Sequence, residues 1–264
     1  MVRPVSLKGF QKGFQGVSLR GFRGVQIFLW ELCVCIKYLS LGDPCCGSGG
    51  FFLATQEYLT DPASPTLDRE QKQFLKNDTF YGTELVPVTY KLCLMNLYLH
   101  NIGDIYGRMP VTRGDALLSD PGYRVDYVMT NPPFGKKSSL TFTNEEGEQE
   151  EEDLVYNRQD FWTTGSNKQL NFLQYINTLL KSDGKAAVVL PDNVLFEGGA
   201  GETVRKKLLE TCELHTILRL PTGIFYKPGV KANEPVLRPP PCQPGHADEG
   251  DLGVRLPHQH PLHA

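Results

Sequence analysis

Between residues 43 and 220, short β-prone runs alternate with stretches of helical spacing, and that alternation leaves few architectures open. Strand-like runs occupy residues 79–84, 125–129, 185–190 and 215–220, and the last three are each followed by proline or by Asn-Pro-Pro. Helical spacing is found over 89–101, where Leu92, Met95, Leu97 and Leu99 are expected on a helix, and over 171–180 and 202–210. Asp183-Gly184 is the expected turn into the strand that follows. The expected fold class is α/β, a mostly parallel sheet with helices on both faces. At 264 residues the chain is long enough to bury a substantial core in one such domain.

Net charge is −3, which excludes a chain that grips nucleic acid by bulk electrostatics alone, since phosphate neutralisation calls for a basic surface. If DNA is the substrate, something else helps to hold it. Seven cysteines, an odd number without metal-type spacing, point to free thiols in a reducing compartment and hence to the cytoplasm. The apolar stretch over 25–39 is interrupted by Glu31 and Lys37 and is shorter than a bilayer span, so no membrane helix is expected. No small-residue cleavage pattern of a signal peptide follows it. Residues 1–42, with their Gly9-Phe10, Gly13-Phe14 and Gly21-Phe22 repeats, have no clear period and stay unassigned. The acidic run over 145–153, seven carboxylates, is expected to be a solvated loop; it lacks the rigid frame a metal would need.

Three groups of residues carry chemistry. The first is Asp43-Pro44-Cys45-Cys46-Gly47-Ser48-Gly49-Gly50, a glycine-rich turn running into apolar Phe51-Phe52-Leu53. Its glycines let backbone approach a ligand, and a helix starting there offers free N–H groups and a positive dipole end to an anion. It lacks the lysine of a P-loop. The second is Glu84 at the end of the next strand, where a carboxylate can accept hydrogen bonds from both ribose hydroxyls. With it goes Asp115 in Gly114-Asp115, placed to accept from the exocyclic amine of an adenine. The third, and the most specific, is Asn131-Pro132-Pro133-Phe134. Two prolines after a strand forbid ladder bonding and hold the chain extended, so the Asn131 side chain and the Pro132 carbonyl can project together from the carboxyl edge of the sheet. A nucleobase amine delocalises its lone pair into the ring. Two acceptors bonding its hydrogens favour pyramidalisation and expose the lone pair to an electrophilic methyl, stabilising the transition state. Phe134 offers a stacking face for a base removed from the duplex. No covalent nucleophile is required, so Cys45 and Cys46 read as packing residues. His100 and His215, in apolar runs, read as structural.

Over residues 43–233 these segments resemble the modification (methyltransferase) subunit of type I restriction-modification systems, a family of N6-adenine DNA methyltransferases. The resemblance extends to Gly82-Thr83-Glu84, Met95-Asn96-Leu97, Asn167-Lys168-Gln169-Leu170-Asn171-Phe172, Val189-Leu190-Pro191 and Leu218-Arg219-Leu220-Pro221-Thr222-Gly223-Ile224-Phe225. It implies a Rossmann-like fold dependent on S-adenosyl-L-methionine. Asp43, Gly47, Ser48 and Gly49 would border the methionine part of that cofactor, Glu84 its ribose and Asp115 its adenine. Asn131, Pro132, Pro133 and Phe134 would hold the target adenine. DNA, a specificity subunit and a motor (restriction) subunit are the implied partners, with no membrane and no metal. Protein-glutamine N5-methyltransferases share Asn-Pro-Pro followed by an aromatic, because an amide nitrogen poses the same problem. An inactive truncated fragment is a further alternative.

The sequence departs from the family at both ends. Residues 1–42 lack its helical domain and its Phe-Thr-Pro segment. After Asn233, where the family continues into an apolar strand, Pro239-Pro240-Pro241 and a His/Pro-rich tail follow. Synonymous codons for 251–264, read one base later, spell Ile-Trp-Val-Tyr-Asp-Phe-Arg-Thr-Asn, which resembles the family's downstream segment. The expectation is a frameshift near Asn233, a domain ending there, and a disordered tail over 234–264 whose prolines keep it out of the sheet.

Overall fold

The computed structural model describes residues 38–62, 66–135, 139–143, 149–153, 155–219 and 232–238. The sheet begins with β1 (Leu41–Asp43), β2 (Phe80–Glu84), β3 (Val111–Arg113) and β4 (Val125–Thr130). β1 lies between β2 and β4, β3 flanks β2, and β4 pairs with β7 (Leu180–Val188), all in parallel. Three more strands complete it: β8 (Leu190–Pro191), β9 (Glu213–Arg219) and β10 (Ala232–Arg238). The order is β3-β2-β1-β4-β7-β10-β8, with β9 on the far side of β10.

Helices cover both faces. α1 (Gly50–Thr60), α2 (Arg69–Asn77) and α3 (Pro87–Leu99) contribute Phe52, Leu59, Leu75, Cys93 and Leu97 to one core layer, which also takes Leu41, Phe80, Tyr127 and Met129 from the strands. α4 (Lys168–Leu179), with the short α5 (Asp192–Phe196) and α6 (Ala200–Thr211), supplies Leu173, Ile176, Val194, Val204 and Leu208 to the other layer, against Val125, Val128, Ala186 and Val188. Adjacent strand residues thus enter opposite layers, as a doubly covered sheet requires. Local signals start the helices. α2 opens with a capping box between Asp68 and Gln71, α3 has proline in its first turn, and α4 is capped by the Asn167 side chain.

The structure differs from the sequence expectations in several places. Leu92, Met95, Leu97 and Leu99 do lie on a helix, α3, but only Leu97 among them turns inward, with Cys93, and Leu92, Met95 and Leu99 are 49%, 62% and 81% exposed. Asp183-Gly184 lies inside β7, at an irregularity in its pairing with β4. Part of the acidic run is extended: β6 (Gln149–Asp153) pairs antiparallel with β5 (Ser139–Thr143) in a separate two-stranded ladder. His100 and His215 are exposed, with ring nitrogens against Asn96 O and Thr216 Oγ1.

The largest difference concerns the segment after Asn233. Rather than leaving the sheet, β10 runs through the expected boundary to Arg238, antiparallel to β9 on one side and to β8 and β7 on the other. Pro235 is tolerated because of where it falls. On the β7/β8 side the pairing passes from Asn233↔Leu190 to Val236↔Ala187, so Pro235 sits at the break between two short ladders, while on the other side it stands opposite Ile217 of β9. A bulge between Val236 and Leu237 absorbs the remaining mismatch with β9. The rest of the tail, 239–264, lies outside the described residues, as do residues 1–37.

Candidate active site

The sheet order reverses between β1 and β4: the chain builds outward from β1 through β2 to β3, then returns to place β4 on the other side of β1. In open α/β sheets ligands bind at the carboxyl ends of the strands flanking such a point. Asp43 ends β1, Glu84 ends β2, Asp115 follows β3 and Asn131 follows β4, so all four edge positions singled out in the sequence share one edge of the sheet.

The glycine-rich turn is held from three sides. The Cys46 N–H donates to Thr83 O at 3.1 Å, the Gly47 N–H to Glu84 Oε2 at 3.0 Å, and the Asn96 side chain to Ser48 O at 3.0 Å. The other Glu84 oxygen accepts from the Val86 N–H at 2.8 Å. Each carboxylate oxygen therefore has one lone pair engaged by backbone and one left for a ligand. Gly47 and Gly49 have φ of +55° and +85°, the left-handed region that favours glycine. Their surroundings differ. A Cβ on Gly49 would lie 3.1 Å from Cys93 Sγ and 3.2 Å from Leu97 Cδ2, whereas one on Gly47 would meet nothing within 4 Å. Gly49 serves the packing of α1 on α3, and Gly47 borders open space. Gly49→Ala is therefore expected to cost about 1–3 kcal/mol of stability from left-handed strain plus overpacking. Gly47→Ala should cost about 1 kcal/mol from strain alone, but should weaken ligand binding more. Urea titrations of the two variants measure this ordering, and equal losses would contradict it.

Asp43 is buried and carries no ion pair among the described residues. The Thr130 hydroxyl donates to its Oδ1 at 2.6 Å and the Cys45 N–H to the same oxygen at 3.1 Å. Burial pushes its carboxyl up from 3.8 to about 7, against the lowering effect of those two hydrogen bonds. The Cys45 thiol, 3.0 Å from Thr130 Oγ1, is also pushed up by burial, so it is held as the neutral thiol. Cys46 is buried against Cys93. Neither thiol is set up as a nucleophile.

Asp115 accepts from the Leu117 N–H at 2.9 Å through Oδ1 and from the Tyr156 hydroxyl at 2.6 Å through Oδ2. Asn131 is exposed, Pro132 buried, Pro133 exposed and Phe134 half-buried. Phe134 packs against the small buried cluster of Val189 and Ala232, to which β10 contributes Ala232. Sequence reasoning missed Thr130 and Tyr156 as parts of this site. Thr130 adjoins the Asn-Pro-Pro motif and was within reach of it. Tyr156, 41 residues from Asp115, left no local signal.

The fold and this edge define a class, the S-adenosylmethionine-dependent methyltransferase fold; a Listeria monocytogenes structure assigned to class I of those enzymes aligns over 96% of this chain and 68% of its own, with TM-score 0.57 at 18% identity. The chain belongs to the N-6 DNA Methylase family, whose model matches residues 28–239. It is 41% identical over 196 residues to the type I restriction enzyme EcoKI methylase subunit of Escherichia coli K12, covering 72% of this chain and 34% of that subunit. The crystal structure of the EcoKI M protein superposes with TM-score 0.63 at 40% identity, over 76% of this chain and 40% of that one. The chain thus spans about one third of the length of its curated relative. Among the described residues no helix is long and apolar enough to cross a membrane.

Proposed function

We propose that this chain carries the catalytic core of a site-specific DNA adenine N6-methyltransferase, the modification subunit of a type I restriction-modification system. The observation that carries this reading is the Thr130–Asp43 hydrogen bond of 2.6 Å. It fastens the residue immediately before Asn131-Pro132-Pro133-Phe134 to the first residue of the glycine-rich turn, so the target-side motif and the cofactor-side loop form one unit.

The residues fit S-adenosyl-L-methionine. Gly47 leaves room where a Cβ would intrude, and the α1 N-terminus supplies N–H groups for a carboxylate. Glu84 keeps acceptor capacity for ribose hydroxyls, and Asp115 for the adenine amine. When bound, the cofactor supplies an electrophilic methyl group. Ser48 and Gly49 complete the turn, and Asp43 faces the methionine part. On the target side, the Asn131 carboxamide oxygen and the Pro132 carbonyl accept from the adenine amine, Pro133 keeps the chain extended, and Phe134 stacks on the base. Proposed partners are DNA, a specificity subunit that reads its sequence and compensates for the absent net positive charge, and a motor subunit for restriction. The proposed compartment is the cytoplasm.

Transfer of labelled methyl from S-adenosylmethionine to adenine-containing DNA, assayed with a specificity subunit, tests this reading. Incorporation into adenine is expected; methylation of a glutamine-containing protein instead would overturn it.

Asp43 makes cofactor binding pH-dependent. Its folded value of about 7 lies above the ordinary 3.8, so the stability it contributes is fully present below about 4 and is lost as pH rises through about 7. A cationic ligand favours the ionised form. Affinity for S-adenosylmethionine is therefore expected to be flat above about pH 7.5 and to fall by up to about tenfold per pH unit below 7. Calorimetric titration between pH 5.5 and 8.5 checks this, and Asp43→Asn should flatten the profile.

A further inference from the structure

The carboxylate assigned to the cofactor's adenine does not stand alone. Asp115 lies half-buried on the turn after the three-residue β3, next to buried Ala116 and Leu117, and two residues from a distant segment hold that turn. Tyr156, 6% exposed, donates its hydroxyl to Asp115 Oδ2 at 2.6 Å and is tied back by a β-bridge to Gly165. Arg158 has a side chain only 7% exposed and donates to Leu117 O at 3.3 Å and Ser119 O at 2.9 Å. Its guanidinium is fixed by Asp160 at 2.6 Å and lies 4.5 Å from the centroid of the Phe161 ring.

From this arrangement we infer that Tyr156 is a positioning residue of the adenine subsite, and that it sets the site's selectivity for a purine bearing an exocyclic amine. A half-buried carboxylate held by a single backbone N–H could still rotate between rotamers, and it would then discriminate weakly. With Oδ1 engaged by the Leu117 N–H and Oδ2 by the Tyr156 hydroxyl, the Asp115 carboxylate is locked in one rotamer, its remaining lone pairs directed away from the protein contacts. A ligand amine then meets a pre-oriented acceptor, and the cost of ordering it has been met in the free protein.

The inference rests on the reading of Asp115 as the adenine acceptor, and the experiment separates the two. S-adenosylhomocysteine and its analogue lacking the 6-amino group are titrated calorimetrically into the parent chain, Tyr156→Phe and Asp115→Asn, each first checked by thermal melting. Tyr156→Phe removes one oxygen and keeps the ring in its packing. The parent is expected to prefer the amine by about tenfold, the worth of one hydrogen bond to a charged group. In Tyr156→Phe that ratio is expected to fall to about threefold or less, with binding of the deamino analogue unchanged, and in Asp115→Asn it should fall as well. An undiminished ratio in Tyr156→Phe, or equal weakening of both ligands, overturns the role of Tyr156 and leaves Asp115 in place. A parent chain that binds both ligands equally, or binds neither, overturns the reading of Asp115 and the inference with it.

Discussion

Asn131→Ala is expected to lower kcat for adenine methylation by about 10²–10³-fold, the loss that follows removal of one pre-positioned transition-state partner. Affinity for S-adenosylmethionine should stay within about twofold, because the side chains assigned to the cofactor are anchored elsewhere: Asp43 to Thr130 and Cys45, Glu84 to Gly47 and Val86. Asn131 is exposed, so its truncation opens no cavity in the core. In the proposed arrangement only the amine's second acceptor, the Pro132 carbonyl, would then remain. The split between kcat and cofactor binding identifies an interaction made in the transition state. A parallel loss of both would mean that Asn131 supports the loop structurally, and an unchanged kcat would remove it from the chemistry.

Leu237→Ala should have the largest effect on stability. Leu237 is 2% exposed in the core layer formed with α4 and α6, on a strand with neighbours on both sides. Truncating a fully buried leucine costs about 2–5 kcal/mol, and in a domain of this size each kcal/mol lowers Tm by about 2–4 °C. A fall of about 10 °C in a thermal melt followed by circular dichroism is therefore expected. Because Phe134 packs against the cluster that contains Ala232, at the start of the same strand, loosening β10 should also weaken DNA binding. A variant that melts with the parent would show that the strand contributes nothing to the core.

The parallel half of the sheet was legible because its information is local. The runs that became β2 and β4 are β-prone and bounded by their own breakers, and α2, before β2, and α4, after β4, carry their own caps, Asp68 and Asn167. The acids at the strand ends were legible for the same reason, since a strand's end in the sequence is also its carboxyl edge in space. The outward face of α3 was not. Apolar residues fall on every side of that helix, so spacing alone could not say that Cys93 and Leu97 turn inward while Leu92, Met95 and Leu99 do not. Nor was β6, since the carboxylates of 149–153 suggested a loop and its strand character depends on pairing with β5.

By itself the sequence determined the α/β class, the edge that carries Asp43, Glu84, Asp115 and Asn131, and the chemistry those residue types suit. Only the tertiary structure decided that Thr130 ties the two halves of the site together, that Tyr156 holds Asp115, and that β10 enters the sheet with Pro235 at the break between two ladders. Strand propensity and turn chemistry act over a few neighbouring residues, so they are written in short words of sequence. A hydrogen bond across 41 or 87 residues depends on register and packing, which exist once the layers have closed.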